Sequence, residues 1–368
     1  MLETIFIAFI AIVSIQFIYY IIIFGSFSFA KQRVKAASSF NKPVSVIICA
    51  KNEAKNLTKH LPLYLNQTYP SFELVLINDR SRDKTLEVLE KFKLNATIPI
   101  KIVDVKENEQ FWGSKKYALT LGIKAASYEH LLFTDADCKP VSNNWITEMT
   151  EHFQQSMVVL GYGAYKTIKG SFLNKIIRFD TLLTSIQYFS LAKIGMPYMG
   201  VGKNLAYTKT AFFSVNGFIN HMKIKLGEDE LFVNEVSKQQ AISICYSKNS
   251  FTTSKPATTF NNWILQKRRS ASTTVHYRFF HKLVLALFYI SQLLFWVTGI
   301  ILLSFLFNWI IVTSLIAARF LFQYLIIGFS AKKLNEKGIV LFAPFFELFL
   351  ILIQLFIFMK NIVSKPSN

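Results

Sequence analysis

The chain has 368 residues, 52% of them hydrophobic and 15% aromatic, with 36 phenylalanines and a formal net charge of +19. So much phenylalanine argues against an ordinary soluble domain. The charge does not argue for nucleic acid, because the lysines and arginines are dispersed, no nucleic-acid motif is present, and basic flanks beside apolar spans have a ready use against anionic lipid.

In chain order, Leu2 to Phe29 is nearly all apolar, with Glu3 as its one charge, and is long enough to cross a bilayer. It is too long for a cleaved signal peptide, lacks a basic start and has no clear small-x-small cleavage site. Residues 1–30 are therefore expected to anchor the chain. Pro43 to Ala50 is a β-branched run of the kind found in buried parallel strands. Lys51-Asn52-Glu53 breaks it, and a helix is expected through about Leu65. Phe72 to Ile77 predicts the next strand, ending at Asn78-Asp79, and a helix follows from Asp83 to Phe92. Ile100 to Asp104 predicts a third strand, Lys115 to Ala126 a third helix, and His130 to Thr134 a fourth strand ending on Asp135-Ala136-Asp137. Strand and helix alternation over 42–170 predicts an α/β doubly wound, Rossmann-like sheet. In such sheets ligands bind beyond the carboxyl ends of the strands, where Asn52, Asp79, Asp104 and Asp135 all fall.

Between Ser171 and Gly195, apolar residues recur at helical spacing around Lys175, Arg178 and Asp180. Such a helix either lies on a membrane surface or packs in a core. A second apolar block predicts three spans, at about 283–306, 309–329 and 339–359, the first split marked by Asn308 alone. Lys31, Arg33 and Lys35, then Arg278 and Lys282, then the Lys332–Lys337 loop all flank spans on one side if the central domain is cytoplasmic. Arg319 and Glu347 fall at similar depth in the last two spans, where charges are costly, and are expected to pair. Cys49, Cys138 and Cys245 make an odd count with no metal-site spacing, which fits a reducing compartment. Cys49 reads as plain core.

Val44-Ser45-Val46-Ile47-Ile48-Cys49-Ala50-Lys51-Asn52-Glu53, Asn78-Asp79-Arg80-Ser81-Arg82-Asp83, Asp135-Ala136-Asp137, Gly200 to Ala206 and Gly227-Glu228-Asp229 stand in one order. On these motifs the chain resembles the membrane-bound family 2 glycosyltransferases of GT-A fold, the branch of the cellulose, hyaluronan and poly-N-acetylglucosamine synthases. The resemblance covers about 42–275. It implies a nucleotide-sugar-binding half at 42–170, an acceptor-side half at 171–282 and transmembrane helices at 283–360. It further implies an inverting, metal-dependent transferase, using Mg²⁺ or Mn²⁺ and a nucleotide-sugar donor, with UDP as the leading nucleotide. The acceptor would be a lipid or glycan presented at a bacterial inner membrane, with the catalytic domain cytoplasmic. A processive polysaccharide synthase is the alternative within enzymes. A non-catalytic membrane scaffold would have lost the Asp-x-Asp pair or the base, and both are present.

The same resemblance distributes roles. Asp137 would be the metal ligand, with Asp135 in the metal shell or on the donor ribose. Glu53 and Asp79 would contact the nucleoside, although the family often reads Asp-Asp-Gly-Ser where this chain has Asn78-Asp79-Arg80-Ser81. The plainer reading of Asp79 is a helix cap or an Asx turn. The pattern Gly-Lys-x-x-Ala-Leu places a lysine near the donor diphosphate; Trp112-Gly113-Ser114-Lys115-Lys116-Tyr117-Ala118-Leu119 offers Lys115 or Lys116. Asp229 would be the general base, with Glu228 as the other choice, and an acid-rich helix N-terminus the plainer reading of both. Gln266-Lys267-Arg268-Arg269-Ser270 corresponds to Gln-x-x-Arg-Trp, which puts Gln266 and Arg268 on the donor and Arg269 against the leaving diphosphate. The tryptophan of that motif is Ser270 here, which weakens the processive reading; nearby Trp263 reads either as a replacement stacking surface or as an interfacial aromatic anchor.

Overall fold

The computed structural model describes residues 1–31, 40–106, 115–224 and 226–364. Arg33, Lys35, Lys365 and the Trp112-Gly113-Ser114 segment lie outside the described residues. Contacts divide the chain into two units. One comprises residues 1–31, 169–196 and 257–368; the other comprises 32–168 and 197–256. The stretch 171–282 is thereby shared between them.

Among the described residues, the second unit has ten strands: β1 Val44–Ala50, β2 Phe72–Asp79, β3 Ile100–Val105, β4 His130–Asp135, β5 Lys139–Pro140, β6 Val158–Leu160, β7 Gly163–Tyr165, β8 Leu205–Thr208, β9 Ile242–Ile244 and β10 Thr252–Ser254. The first four expected strands are present, and the helices between them run Ala54–Leu65, Thr85–Asn95 and Lys115–Ala125. The main sheet has the order β3-β2-β1-β4-β8-β6-β9, and β5-β10-β7 form a small second sheet. Strands β1 to β4 pair in parallel, while β8 runs antiparallel to both β4 and β6. All eight residues of β2 are buried, which is why its sequence reads as an apolar run rather than an alternation. Val46, Ile48, Leu74 and Leu76 share one cluster with Leu57, Leu61 and Leu89 of the helices. Ile47 and Ile77 point to the other face, against Gly122. Each fully buried aliphatic side chain contributes about 1.5–3 kcal/mol relative to exposure.

Among the described residues, the other unit contains four helices long and apolar enough to span a membrane: Leu2–Ser28, Phe279–Ser304, Trp309–Lys333 and Val340–Val363. The split marked by Asn308 is real. Asn308 sits at φ 44°, a left-handed conformation that asparagine tolerates better than most residues. Phe9 stacks on Phe295 with ring centroids 5.9 Å apart. The helix Phe172–Lys193 begins at Ser171, whose Oγ accepts from the Asn174 amide at 3.2 Å. The helix packs into its unit, as the second of its two sequence readings expects. Its buried residues include Ile176, Phe179, Leu182, Ile186 and Phe189, and Phe189 lies 5.1 Å from Phe27 and Phe179 5.3 Å from Phe346.

Arg319 and Glu347 pair as expected. Arg319 Nη2 donates to Glu347 Oε1 at 2.6 Å and to Oε2 at 2.7 Å. Arg319 Nε donates to Gln16 Oε1 at 2.8 Å, Nη1 to Gln323 Oε1 at 2.7 Å, and Tyr20 Oη donates to Glu347 Oε2 at 2.8 Å. Tyr20 belongs to a π-helical segment, Ile18–Phe24, within the first span. Such segments rotate side chains away from the regular helical stripe. At one end of this unit, Lys333 Nζ donates to the Phe27 carbonyl at 2.8 Å and to that of Ala30. The carboxyl ends of the first and third spans are therefore together.

Candidate active site

Parallel register gathers the acidic landmarks. Cys49 stands opposite Asp135 on one side and Ile77 on the other, and Asn78 stands opposite Asp104. The carboxyl ends of β1 to β4 thus form one edge, and the chain leaves each strand through a polar residue there. The first two exit loops are zipped together. The Asn52 amide donates to Ser81 Oγ at 2.9 Å, the Arg82 amide to Asn52 Oδ1 at 2.8 Å, and the Glu53 amide to Thr85 Oγ1 at 2.9 Å. Asp79 is 4% exposed and accepts from Arg80 Nε at 2.8 Å. Arg80 holds φ 52°, so the position where the family often has glycine keeps a glycine-like backbone with a cation attached. Glu53 accepts from Asn56 Nδ2 at 2.6 Å. Burial raises its pKa above the usual carboxylate range against that hydrogen bond, and Asp137 and Asp135 add to the rise.

Asp135, Asp137 and Cys138 present donor atoms within 4.8 Å of one another. Their loop is braced from the helix Ala54–Leu65, where Tyr64 Oη donates to the Cys138 carbonyl at 3.0 Å and His60 Nδ1 lies 3.3 Å from that of Ala136. Lys115 Nζ bridges two carboxylates, Asp135 Oδ1 at 2.9 Å and Glu228 Oε1 at 2.7 Å. Burial works against the Lys115 charge, but Asp135 and Glu228 outweigh it and hold its pKa well above the ordinary value. Burial likewise pushes the Asp135 carboxyl up, and the Lys115 ammonium overrides it, leaving a net lowering.

Asp229 is fixed by two backbone amides. Gly202 N–H donates to Oδ2, and Glu230 N–H donates to Oδ1 at 2.8 Å. It therefore both begins the helix Glu230–Val236 and faces a pocket. A Cβ on Gly202 would lie 3.2 Å from Asp229 Oδ2. Gly202→Val is expected to lower turnover by up to about 10²-fold through misplacement of that carboxylate, with nucleotide binding retained; a steady-state assay beside a binding titration checks it. Burial raises the Asp229 pKa to about 7, helped by repulsion from Glu228 and Glu230 and opposed by Lys115 and the Gly202 amide.

Cys49, Lys115, Thr134, Asp135, Gly202, Glu228 and Asp229 line one pocket, with Ile47, Leu119, Phe133 and Tyr207 as apolar wall. Cys49 is thus a wall residue rather than plain core. Its thiol is pushed up to about 12 by burial, despite Lys115 nearby, so it is inert at neutral pH. Lys116 does not enter the pocket; its ammonium bonds the carbonyls of His221, Ile224 and Leu226. Sequence reasoning missed Lys203, which follows Gly202. Lys203 Nζ lies 3.6 Å from the Tyr165 ring centroid and donates to Ser254 Oγ at 2.9 Å.

Gln266, Arg268 and Arg269 lie on the helix Phe260–Ala271 of the membrane-helix unit. There Arg268 is buried, donating to Asn361 Oδ1 at 2.8 Å and to the Ser364 carbonyl at 2.6 Å. Of the two arginines, Arg269 is the more exposed. Trp263 is 2% exposed, so its ring is core and offers no open face to a sugar.

A parallel half-sheet ending in carboxylates, followed by an antiparallel strand whose approach loop meets a second carboxylate pair, defines a GT-A glycosyltransferase fold. A solved mannosyltransferase from Pyrobaculum calidifontis has the same fold, with a TM-score of 0.60 over 95% of this chain and 99% of that one at 15% identity. Residues 45–220 match the glycosyl transferase family 2 model. Residues 45–220 thus form a domain similar to that family. Poly-β-1,6-N-acetyl-D-glucosamine synthase of Staphylococcus epidermidis is 36% identical over 104 residues, which are 28% of this chain and 24% of that protein. An uncharacterized glycosyltransferase of Haemophilus influenzae is 34% identical over 128 residues, 34% of this chain and 37% of that one. The match thus spans about a quarter to two fifths of these relatives.

Proposed function

We propose that the protein is an inverting transferase that moves a sugar from a nucleotide donor to an acceptor presented at a membrane. The observation that carries this reading is the convergence of Asp135, Lys115, Glu228 and Asp229 on one pocket. Asp79 and Glu53 stand at the ends and exits of the neighbouring strands, where the nucleoside is expected. Asp137 and Asp135 fit a hard divalent ion, Mg²⁺ or Mn²⁺, because carboxylate oxygens are the donors such ions prefer. When bound, that ion neutralises diphosphate charge. The mannosyltransferase of the same fold was solved with GDP-mannose and Mn²⁺, which favours this donor class.

The chemistry assigned to the chain's own groups is direct displacement. Asp229 takes the proton of the acceptor hydroxyl as its oxygen bonds to C1 of the sugar. The bond from C1 to the diphosphate oxygen breaks, its electron pair leaves with the nucleoside diphosphate, and the anomeric centre inverts. Lys115 stands where its charge can meet the diphosphate as negative charge develops there. Arg269 keeps the leaving-group role that the family resemblance implies, on sequence grounds alone. The clustering of the first and third span ends with Lys333 supports one basic side for the loops, and hence a cytoplasmic catalytic unit.

The likeness to poly-N-acetylglucosamine synthases favours a processive polymerase as the second reading. Ser270 in place of tryptophan and the buried Trp263 favour one or few additions. Incubating detergent-purified protein with a panel of sugar nucleotides, Mg²⁺ or Mn²⁺ and membrane lipid extract tests both. Release of nucleoside diphosphate from one donor with a short product is expected. A long polymer would select the second reading, and no release from any donor by folded protein would overturn the proposal.

A further inference from the structure

Lys115 and Lys116 are consecutive, yet they reach different partners because neighbouring helical residues point about 100° apart. Lys115 grips the Glu228 side chain from the pocket. Lys116 is 0% exposed, and its Nζ donates to three backbone carbonyls: His221 at 2.9 Å, Ile224 at 2.6 Å and Leu226 at 2.9 Å. An ammonium has three N–H donors and no acceptor, so these three bonds use its whole capacity. All three carbonyls belong to the segment just before Gly227, whose φ of +79° turns the chain into Glu228-Asp229. Burying a cation is costly, and here it is matched by charge-assisted bonds to the one segment that sets where the two carboxylates start. The Leu231 amide bonds the Gly227 carbonyl at 3.0 Å, which links that turn to the helix Asp229 begins.

We infer that Lys116 is a positioning residue: it fixes the backbone that aims Glu228 and Asp229 into the pocket, while Lys115 fixes the Glu228 side chain. This rests on the proposed transferase reading for its kinetic arm. The full-length protein in detergent is compared with Lys116→Met, which keeps the length and removes all three donors, and Lys116→Gln, which keeps two. Because a structural fault would lower everything together, three readouts are taken: kcat, the affinity for UDP with Mn²⁺, and amide hydrogen exchange at Ile224 and Leu231. The expected result for Lys116→Met is a fall in kcat of about tenfold or more with UDP affinity within about twofold, and exchange about tenfold faster at those two amides alone. Lys116→Gln should fall between Met and wild type. Wild-type kcat in Lys116→Met, equal losses of kcat and UDP affinity, or exchange that quickens throughout the unit would each overturn the inference. If wild type itself turns over no donor, the transferase reading fails separately. The exchange arm then decides: faster exchange confined to Ile224 and Leu231 upholds Lys116 as the anchor of that turn, and unchanged exchange refutes it.

Discussion

Asp229→Asn is expected to lower turnover by about 10²–10⁴-fold, the usual worth of a positioned general base, while leaving donor binding close to wild type. Asparagine fills the same space, but its one carbonyl oxygen can accept from the Gly202 amide or the Glu230 amide and not from both, so thermal unfolding of the variant is measured beside turnover to separate proton transfer from folding. The pH dependence has a definite sign. Burial with the Glu228 and Glu230 charges raises the Asp229 pKa to about 7, and only the ionised carboxylate can take a proton. kcat/KM should therefore fall about tenfold per unit below that pH and level off above it. A profile flat down to pH 5 would mean that Asp229 is not the base. The same shift has a stability consequence of opposite sense. The folded carboxyl holds its proton more tightly than the unfolded one, so its contribution is greatest below the ordinary aspartate range. That contribution is lost as pH rises through about 7.

Arg319→Ala is expected to destabilise the protein by about 3–5 kcal/mol, because it leaves Glu347 buried without its cation. Glu347 is 2% exposed and Arg319 0%, and Tyr20 and Gln323 also donate to the carboxylate. Those neutral donors soften the loss without replacing the charge. Glu347→Ala strands the guanidinium in the same way, and the double variant should recover part of the loss, with a coupling of about 0.5–3 kcal/mol. Thermal unfolding of the four proteins in one detergent measures it. If Arg319→Ala and the double variant were equally unstable and Glu347→Ala harmless, the pair would contribute nothing as a pair.

This pair was legible in the sequence because charge in an apolar span demands a partner and depth can be counted from the loop. The strands were legible for a similar reason: β1, β2 and β4 are buried on both faces, so their apolar runs have no alternation to misread, and each ends on a polar break. Asp79, Asp135 and Asp137 followed from those breaks. What stayed hidden depends on tertiary contacts. Nothing in Lys115-Lys116 says which lysine faces the carboxylates, since that is set by where the His221, Ile224 and Leu226 carbonyls and the Glu228 side chain meet the helix. Cys49 sits in an apolar strand and reads as core, yet the strand's end is also the pocket wall. The helix 172–193 has an amphipathic spacing, but its polar residues are themselves engaged, Arg178 with Glu336 and Asp180 with Lys267, so periodicity could not tell a surface from an interior. Arg268 was placed by its motif and Trp263 by its nearness to that motif, and both are buried within their own unit.

Group transfer at the Asp229 pocket is tested most directly by following the sugar itself. Purified protein is given a nucleotide sugar labelled in the hexose, a divalent ion and a membrane lipid extract, and the label is followed into the acceptor fraction, with Asp229→Asn and Asp137→Asn run alongside. Label carried into one anomerically inverted product by wild type, and by neither variant, is the predicted result. Equal labelling by wild type and Asp229→Asn, or a product that retains the donor's configuration, would contradict it.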